Sequence, residues 1–393
     1  MAANNLTFEQ SAAFLTDLYE QASGQKAIAV TDTASFTTVA QATLKTGYDN
    51  VINSISQVLS RTIFSVRPYT AKFRGIMVDN QRFGGWVRKI NYVDKGVVNE
   101  ESYPLTDGQS YDPWVIRKPE VLQTNFYGGH RYEDFITMFT WQLDVAFSGP
   151  DDFSRWAAGV FQNVNDKLEQ IREAEARSCL INFIAGKQAG DTGNVINVLQ
   201  AYKNETGVTL TPANMYADSN YVPFTKWFYS YINRLTELLS ERSTKYHINV
   251  TGKELHRHTP ADRLKAYIAA RAMTAIESVV MPTVFNADRL KMIDWEAVNY
   301  WQAIDSPEQI IATPTYLQAD GSLATAESAV TIPNVMGVLF DEEALGLTFI
   351  YDQMAATPLN PRTMSTNYYW HVASRTYNDF TENGIVLIAA ATT

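Results

Sequence analysis

The chain has 393 residues, 46% of them apolar and 19% charged, which is enough to bury a large core and too little charge for a disordered chain. Acidic residues outnumber basic ones by 42 to 32; the formal net charge of −10 argues against a reader of nucleic-acid phosphates but would suit a wall that surrounds DNA without adhering to it. The single Cys179 excludes a disulfide framework within the chain and a four-thiolate metal site, and MAANNLTFEQ carries neither a secretory pattern nor the start of a membrane-spanning run.

The first predicted element is a helix over residues 7 to 21, where Thr7 and Gln10 fit a capping box and Phe8, Ala12, Leu15 and Tyr19 fall near one face. A second helix is predicted over about 38 to 60, with Leu44, Tyr48, Val51, Ile52, Ile55, Val58 and Leu59 at helical spacing. Neither has a globular partner next to it in sequence, so residues 1–65 read as an arm that docks outside its own fold. From 66 to 128 the texture turns to Val, Ile, Tyr, Phe and Trp broken by Gly84-Gly85, Gly96, Asp107-Gly108 and Pro113, which is strand and turn chemistry. Two limbs, Arg82 to Val93 and Trp114 to Phe126, are predicted to form a long β-hairpin. A lone two-stranded ribbon is marginal in water, so this one needs a neighbour to lie on. Its basic residues are interleaved with aromatic ones, a combination that also occurs in single-strand nucleic-acid platforms. Given the acidic chain, a subunit contact is the better reading, with Arg82, Trp86, Arg88, Lys89, Tyr103, Trp114 and Arg117 as its residues.

A helix from 151 to about 185 follows, with Asp151 and Asp152 at its positive end, Phe153, Trp156, Val160, Val164, Leu168 and Ile184 on its apolar stripe, and Gly186 as its stop. At 1.5 Å per residue it would be roughly 50 Å long, a spine rather than an ordinary domain helix. Residues 190 to 345 read as a compact domain mixing strands with two helices, one near 224 to 242 and one from Thr259-Pro260 to near Ser278. The closing segments FIYDQMAATPL, YYWHVASRTYND and GIVLIAA read as strands that return to the spine helix.

Chemistry-bearing motifs are scarce. There is no phosphate-binding loop, nucleophile elbow, zinc-protease helix or calcium loop. His256 and His258 alternate along a strand and, with Asp262, form the best metal candidate; the blander reading is two exposed histidines beside a helix start at Thr259. His371 reads as a packed or hydrogen-bonded core histidine, and Cys179 as a small apolar side chain. The acid pairs Asp151-Asp152, Glu100-Glu101 and Asp341-Glu342-Glu343 read as a helix terminus, a solvated hairpin tip and the opening of a short helix. Two acids converging in a sugar groove would be needed for a carbohydrate-active enzyme, which stays as an alternative.

The order of helical arm, long hairpin, spine helix, compact domain and returning strands resembles the Hong Kong 97 (HK-97-type) fold of tailed-phage major capsid proteins, an α+β architecture. The stretch from Val121 to Gly186 and the ending from Asn360, with Asn360-Pro361-Arg362, the block Tyr368-Tyr369-Trp370-His371-Val372 and a final apolar strand, are similar in type and order to head proteins of phi-twenty-nine-like phages. The resemblance implies an N-terminal arm (1–65), an extended loop (66–128), a peripheral domain with the spine helix (129–189), an axial domain (190–340) and C-terminal strands rejoining the peripheral domain (341–393). It also implies a shell protein without catalysis, cofactor or membrane partner. Its pentamers and hexamers would enclose double-stranded DNA, with assembly in the bacterial cytoplasm and residence in the virion. A portal and a separate scaffolding protein are the expected partners, since only about 65 residues precede the hairpin. Lys89 and Lys95 lie on the hairpin, but nothing identifies a cross-linking partner for either. Heterologous contacts closing both fivefold and sixfold rings require hinges, for which Pro68, Gly128 and Gly129 at the hairpin base are the candidates. An encapsulin-like bacterial compartment, built on a related fold, is the other alternative.

Overall fold

The computed structural model describes residues 8–26, 30–46, 70–78, 87–93, 107–108, 114, 116, 118–126, 128–142, 150–280 and 295–392. In chain order the elements are α1 (Phe8–Ser23), α2 (Thr33–Lys45), β1 (Met77–Val78), β2 (Val87–Val93), β3 (Glu120–Phe126), β4 (His130–Phe139) and α3 (Pro150–Gly190). There follow β5 (Val195–Asn197), α4 (Val198–Thr206), α5 (Asp218–Ser240), β6 (Leu264–Ala269), α6 (Ala270–Val279), β7 (Trp295–Val298), β8 (Ile310–Ala312), β9 (Thr315–Leu317) and β10 (Leu323–Thr325). The chain closes with β11 (Val330–Ile332), β12 (Val335–Asp341), β13 (Leu345–Ala356), β14 (Ser365–Asn378) and β15 (Gly384–Ile388).

Two sheets share one helix. The first has the order β1-β13-β14-β4, with β13–β14 paired antiparallel from Leu345↔Asn378 to Ala356↔Tyr368 and β14–β4 from Ser365↔Phe139 to Ser374↔His130. Its inner face packs on α3, where Val164 and Leu168 meet Val372, Tyr132, Ile136 and Trp370. The second has the order β5-β15-β12-β6-β7. In β15, Ile385 and Leu387 face the cluster of α4, α5 and α6, while Val386 faces Phe183 and Ile184 of α3. A sheet covered by helices on both faces needs apolar residues at successive positions, which is why β12 is buried along its whole length.

Several sequence expectations are corrected. The spine helix does not stop at Gly186 but runs for 41 residues, about 60 Å at 1.5 Å per residue. A Cβ at Gly186 would lie 2.5 Å from the Phe380 ring and one at Gly190, the last residue of the helix, 2.4 Å from the Tyr316 ring, so Gly186 permits close packing rather than ending the helix. The expected helix from Thr259 is strand β6 followed by the short α6; LKAYIA is apolar on both faces because it is a central strand, and so short an apolar run carries no decisive period. The helix predicted from 224 starts at Asp218. The strand β15 does touch α3, but as a member of the second sheet, so residues 341–393 do not rejoin the first sheet as one unit.

The second helix begins at Thr33 rather than 38, because Asp32 accepts the Ser35 amide at 2.7 Å and Ser35 answers with its hydroxyl, a reciprocal cap hidden in a Ser/Thr-rich stretch. The part expected to reach 60 lies outside the described residues beyond 46. The arm also does not dock outside its own fold. Phe14, Leu15 and Leu18 of α1 and Phe36, Val39 and Ala40 of α2 are buried with Met138 and Tyr368, on the end of the subunit's own first sheet.

Candidate intersubunit surface

β2 and β3 form the expected antiparallel hairpin in the register Val87↔Phe126 to Val93↔Glu120, with each paired limb shorter than the sequence suggests. Alternation along a strand sends successive side chains to opposite faces. On one face lie Arg88, Ile90 and Tyr92, opposite Asn125, Gln123 and Val121; Ile90 is 51% exposed and Tyr92 74%. On the other lie Lys89 and the buried Asn91, opposite Thr124 and Leu122, against the body of the subunit.

Lys89 reaches furthest into that body. Its Nζ lies 2.6 Å from Glu382, 3.1 Å from Asp379 and 3.2 Å from Glu343, and the side chains of Asp379 and Glu382 are almost fully buried. Burial alone would lower the lysine pKa, but the carboxylates of Asp379, Glu382 and Glu343 outweigh it and hold the ammonium charged, well above the ordinary lysine range. Arg257 supports Glu382 at 2.8 Å and Arg263 supports Glu343 at 2.9 Å. For Glu382 burial prevails over both cations and raises its pKa; for the more exposed Glu343 the cations outweigh burial and lower it.

Of the other predicted contact residues, Arg88 is exposed on the outward face and Trp114, beyond the paired strands, is 83% exposed. Arg82, Trp86, Tyr103 and Arg117 lie outside the described residues, as does the hinge candidate Pro68. The outward Ile90 and Val121 were not singled out from sequence, although the alternation around Arg88 carries the signal.

The two ends of the hairpin are held differently. Where the chain leaves, Gly128 has φ +94° and its carbonyl accepts from Arg375 Nε at 2.7 Å, while a Cβ at Gly129 would lie 3.2 Å from the Ser374 carbonyl. Upstream of the hairpin, three successive amides are clamped by carboxylates: Ala71 donates to Glu169 at 3.0 Å, Lys72 to Glu173 at 3.3 Å and Phe73 to Glu296 at 2.8 Å. Phe73 is buried in left-handed backbone at φ +61°, beneath the guanidinium of Arg177, which pairs with Glu173 at 2.6 Å. Sequence reasoning missed this clamp, whose parts lie about 100 and 223 residues apart.

The chemical candidates take structural places. His256 and His258 are exposed on either side of Arg257, and among the described residues no group of His, Cys, Asp and Glu is placed to hold a metal. His371 is not a core residue: its side chain is 42% exposed, stacked on Tyr369 with Nδ1 3.6 Å from Glu133, because it sits on the open face of the first sheet. Burial pushes the Cys179 thiol up to about 12, and it donates to the Tyr377 carbonyl at 3.3 Å. Asp341 ends β12, and Glu342-Glu343 turn toward β13 and do not open a short helix; Asp341 accepts the Thr259 hydroxyl and the Glu343 amide. Near it lie two groups unforeseen from sequence. Lys187 is fully buried against Asp191 at 2.8 Å, and His247 is buried with Nε2 donating to the Leu255 carbonyl at 2.8 Å and Nδ1 3.2 Å from Asn383. Burial lowers the pKa of both.

The geometry is that of a scaffold with an outward ribbon. A family model described as Phi29-like phage major capsid protein matches residues 15–388. The chain belongs to the Phi29-like phage major capsid protein family. Among solved structures, this capsid protein is similar to a chain in the capsid of Staphylococcus phage Andhra, with a TM-score of 0.57, 10% identity, and 84% of this chain and 87% of that one covered. It is also similar to a chain in a structure of the head fiber and inner core protein of native bacteriophage P68, with a TM-score of 0.52, 11% identity and the same coverages. At such identities the likeness shows the fold, which fits the HK-97-type α+β class. No curated protein matches. As a phage capsid protein, the chain is a structural component of the virion.

Proposed function

We propose that this capsid protein assembles into rings of five and six copies that close an icosahedral shell around double-stranded DNA. Assembly takes place in the bacterial cytoplasm with a separate scaffolding protein and a portal. The observation that carries the reading is the ribbon β2–β3, whose inward face is tied to its own subunit by Lys89 while Ile90, Tyr92 and Val121 face outward. A monomer has no use for apolar side chains on the outer face of a two-stranded ribbon; a neighbouring copy covers them. In this reading residues 66–128 are the extended loop, α3 and the first sheet form the peripheral domain, and the second sheet with α4 to α6 forms the axial domain. Arg82, Trp86, Arg88, Tyr103, Trp114 and Arg117 contribute to the contact, and the loop swings about its base at Pro68, Gly128 and Gly129. The shell has a fivefold and a sixfold environment for one sequence, which only a pliant contact satisfies.

The test is electron microscopy with sedimentation velocity on the purified chain, alone and with co-expressed scaffolding protein, beside a variant lacking 97–109. Closed shells or tubes from the parent, and a folded but unassembled variant, are expected. Normal shells from the deletion would sink the role given to the hairpin, and a monomeric parent under both conditions would sink the shell.

A further inference from the structure

Beneath the hairpin lies a cleft of about 1030 Å³, walled by Leu122 and Phe126 of β3 on one side and by Ile171 and Glu175 of α3 with Tyr132 of β4 on the other, and open beside Leu323 of β10. Small molecules are held in volumes of roughly 300–1,000 Å³, so the cleft has room for one of drug size. Two oxygens of its lining, Glu175 Oε2 and the Tyr132 hydroxyl, are buried and have no hydrogen-bond partner among the described residues. A carboxylate oxygen kept from water in this way costs free energy until a donor reaches it.

The chemistry of an occupant follows from those two oxygens. An ionised carboxylate only accepts, and a phenol accepts as well as donates, so one group that satisfies both is a cation with several N–H donors, an ammonium. Charge points the same way. Burial raises the Glu175 pKa by more than its neighbours Ser374 and His130 lower it, which leaves the carboxylate without a full counter-charge. A bare metal ion fits less well, because one carboxylate and one phenol among apolar walls would leave most of its coordination unmet. Leu122, Phe126 and Ile171 offer only apolar surface to the rest of the molecule. We propose that the cleft binds a hydrophobic amine, its ammonium on Glu175 Oε2 and the Tyr132 hydroxyl and its apolar body between β3 and α3. Such an occupant bridges the ribbon and the body, so it stabilises the hairpin position in which Lys89 meets Asp379 and Glu382. Every wall comes from one subunit, and the site stands independently of the shell.

The probe is 3,3-diphenylpropylamine, set beside the alcohol and the carboxylate of similar shape, 3,3-diphenylpropanol and 3,3-diphenylpropanoate. Each is titrated calorimetrically into the full-length chain at about pH 7.5, where an alkylamine is charged. The amine is expected to bind at least about tenfold more tightly than the alcohol, and the carboxylate more weakly than either. Glu175→Gln removes the charge and keeps the shape, and should bring amine and alcohol to within about threefold of each other. Hydrogen exchange on the parent chain locates the site without any substitution: with amine bound, amides of β3 and of α3 around Ile171 and Glu175 should gain protection while those of α5 do not. Equal binding of amine and alcohol, no amine binding at millimolar concentration, a preference that survives Glu175→Gln, or protection confined to elements away from the cleft each overturns the proposal.

Discussion

Lys89→Met removes a cation from between three carboxylates and keeps the length of the side chain. The side chains of Asp379 and Glu382 are 1% and 7% exposed, so the substitution strands buried negative charge, for which breaking a buried pair costs about 3–5 kcal/mol. Two features reduce the figure: Arg257 still holds Glu382 at 2.8 Å, and Glu343, half exposed, returns to solvent and to Arg263. A loss of about 2–3 kcal/mol is expected. Urea unfolding of the unassembled subunit measures it, and hydrogen exchange locates it. Amides of β2 and β3 should lose protection more than those of β13 and β14. The pH dependence has a definite sign. Because the folded lysine pKa is raised, its stabilisation is fully present below the unfolded value of about 10.4 and is lost as pH rises through the folded value. The difference between parent and variant should therefore hold steady from pH 7 to 9 and shrink above about 10.4. A loss under about 0.5 kcal/mol, or unchanged exchange in β2 and β3, would refute the claim that this ion cluster pins the hairpin.

His247, held neutral by burial, makes stability fall as pH drops below about 6.5, because the unfolded chain takes up the proton first; thermal melts of the parent and His247→Gln between pH 7.5 and 5 should show a smaller slope in the variant. Gly186→Ala would stabilise an ordinary helix by up to about 1 kcal/mol, but here the methyl meets a Phe380 ring stacked on Phe183 at 5.4 Å, so a net destabilisation of about 1–2 kcal/mol is expected in denaturant titrations. Gly128→Ala places a methyl at φ +94° and should cost about 1 kcal/mol or more of subunit stability by the same titration; an unchanged midpoint would show that the link relaxes without glycine.

What was legible in the sequence is what a local period encodes. The register of α1, the long apolar stripe of α3 and the alternation of β2 and β3 each depend on side chains a few residues apart. The misreadings share a cause. Gly186 looked like a stop because a glycine's punctuation is visible in one dimension and its contact with Phe380, nearly 200 residues later, is not. LKAYIA looked helical because a strand covered on both faces loses the alternation that betrays a half-buried one. The arm looked partnerless because its partner, the end of the β4–β14 pair, forms only when Tyr368 and Met138 meet. The contact surface was legible as a ribbon needing a neighbour but not in its polarity: Lys89 was grouped with Arg88, though adjacent strand residues face opposite ways.

In the shell proposed above, one sequence serves two ring sizes, and that opposition bears on how. The turn from Asp379 to Asn383 links β14 of the first sheet to β15 of the second, and its side chains are buried among groups from both halves: Asp379 and Glu382 take Lys89, Asn383 meets His247 and Thr259, and Glu382 takes Arg257. A hairpin anchored only to the first sheet would report nothing of the second. Anchored at this turn, its direction is tied to the junction of the two sheets, while Ala71, Lys72 and Phe73 tie the chain upstream of it to α3 and Glu296. In the proposed shell a change of angle between neighbouring copies falls on the link at Gly128-Gly129, the hinge candidate at the hairpin base. Along the ribbon the inward side chains held against the body run from Lys89 to the buried Asn91, opposite Thr124 and Leu122. In the proposed shell the anchored base, held by Lys89 at the turn that joins the two sheets, is what aims the ribbon at the next copy.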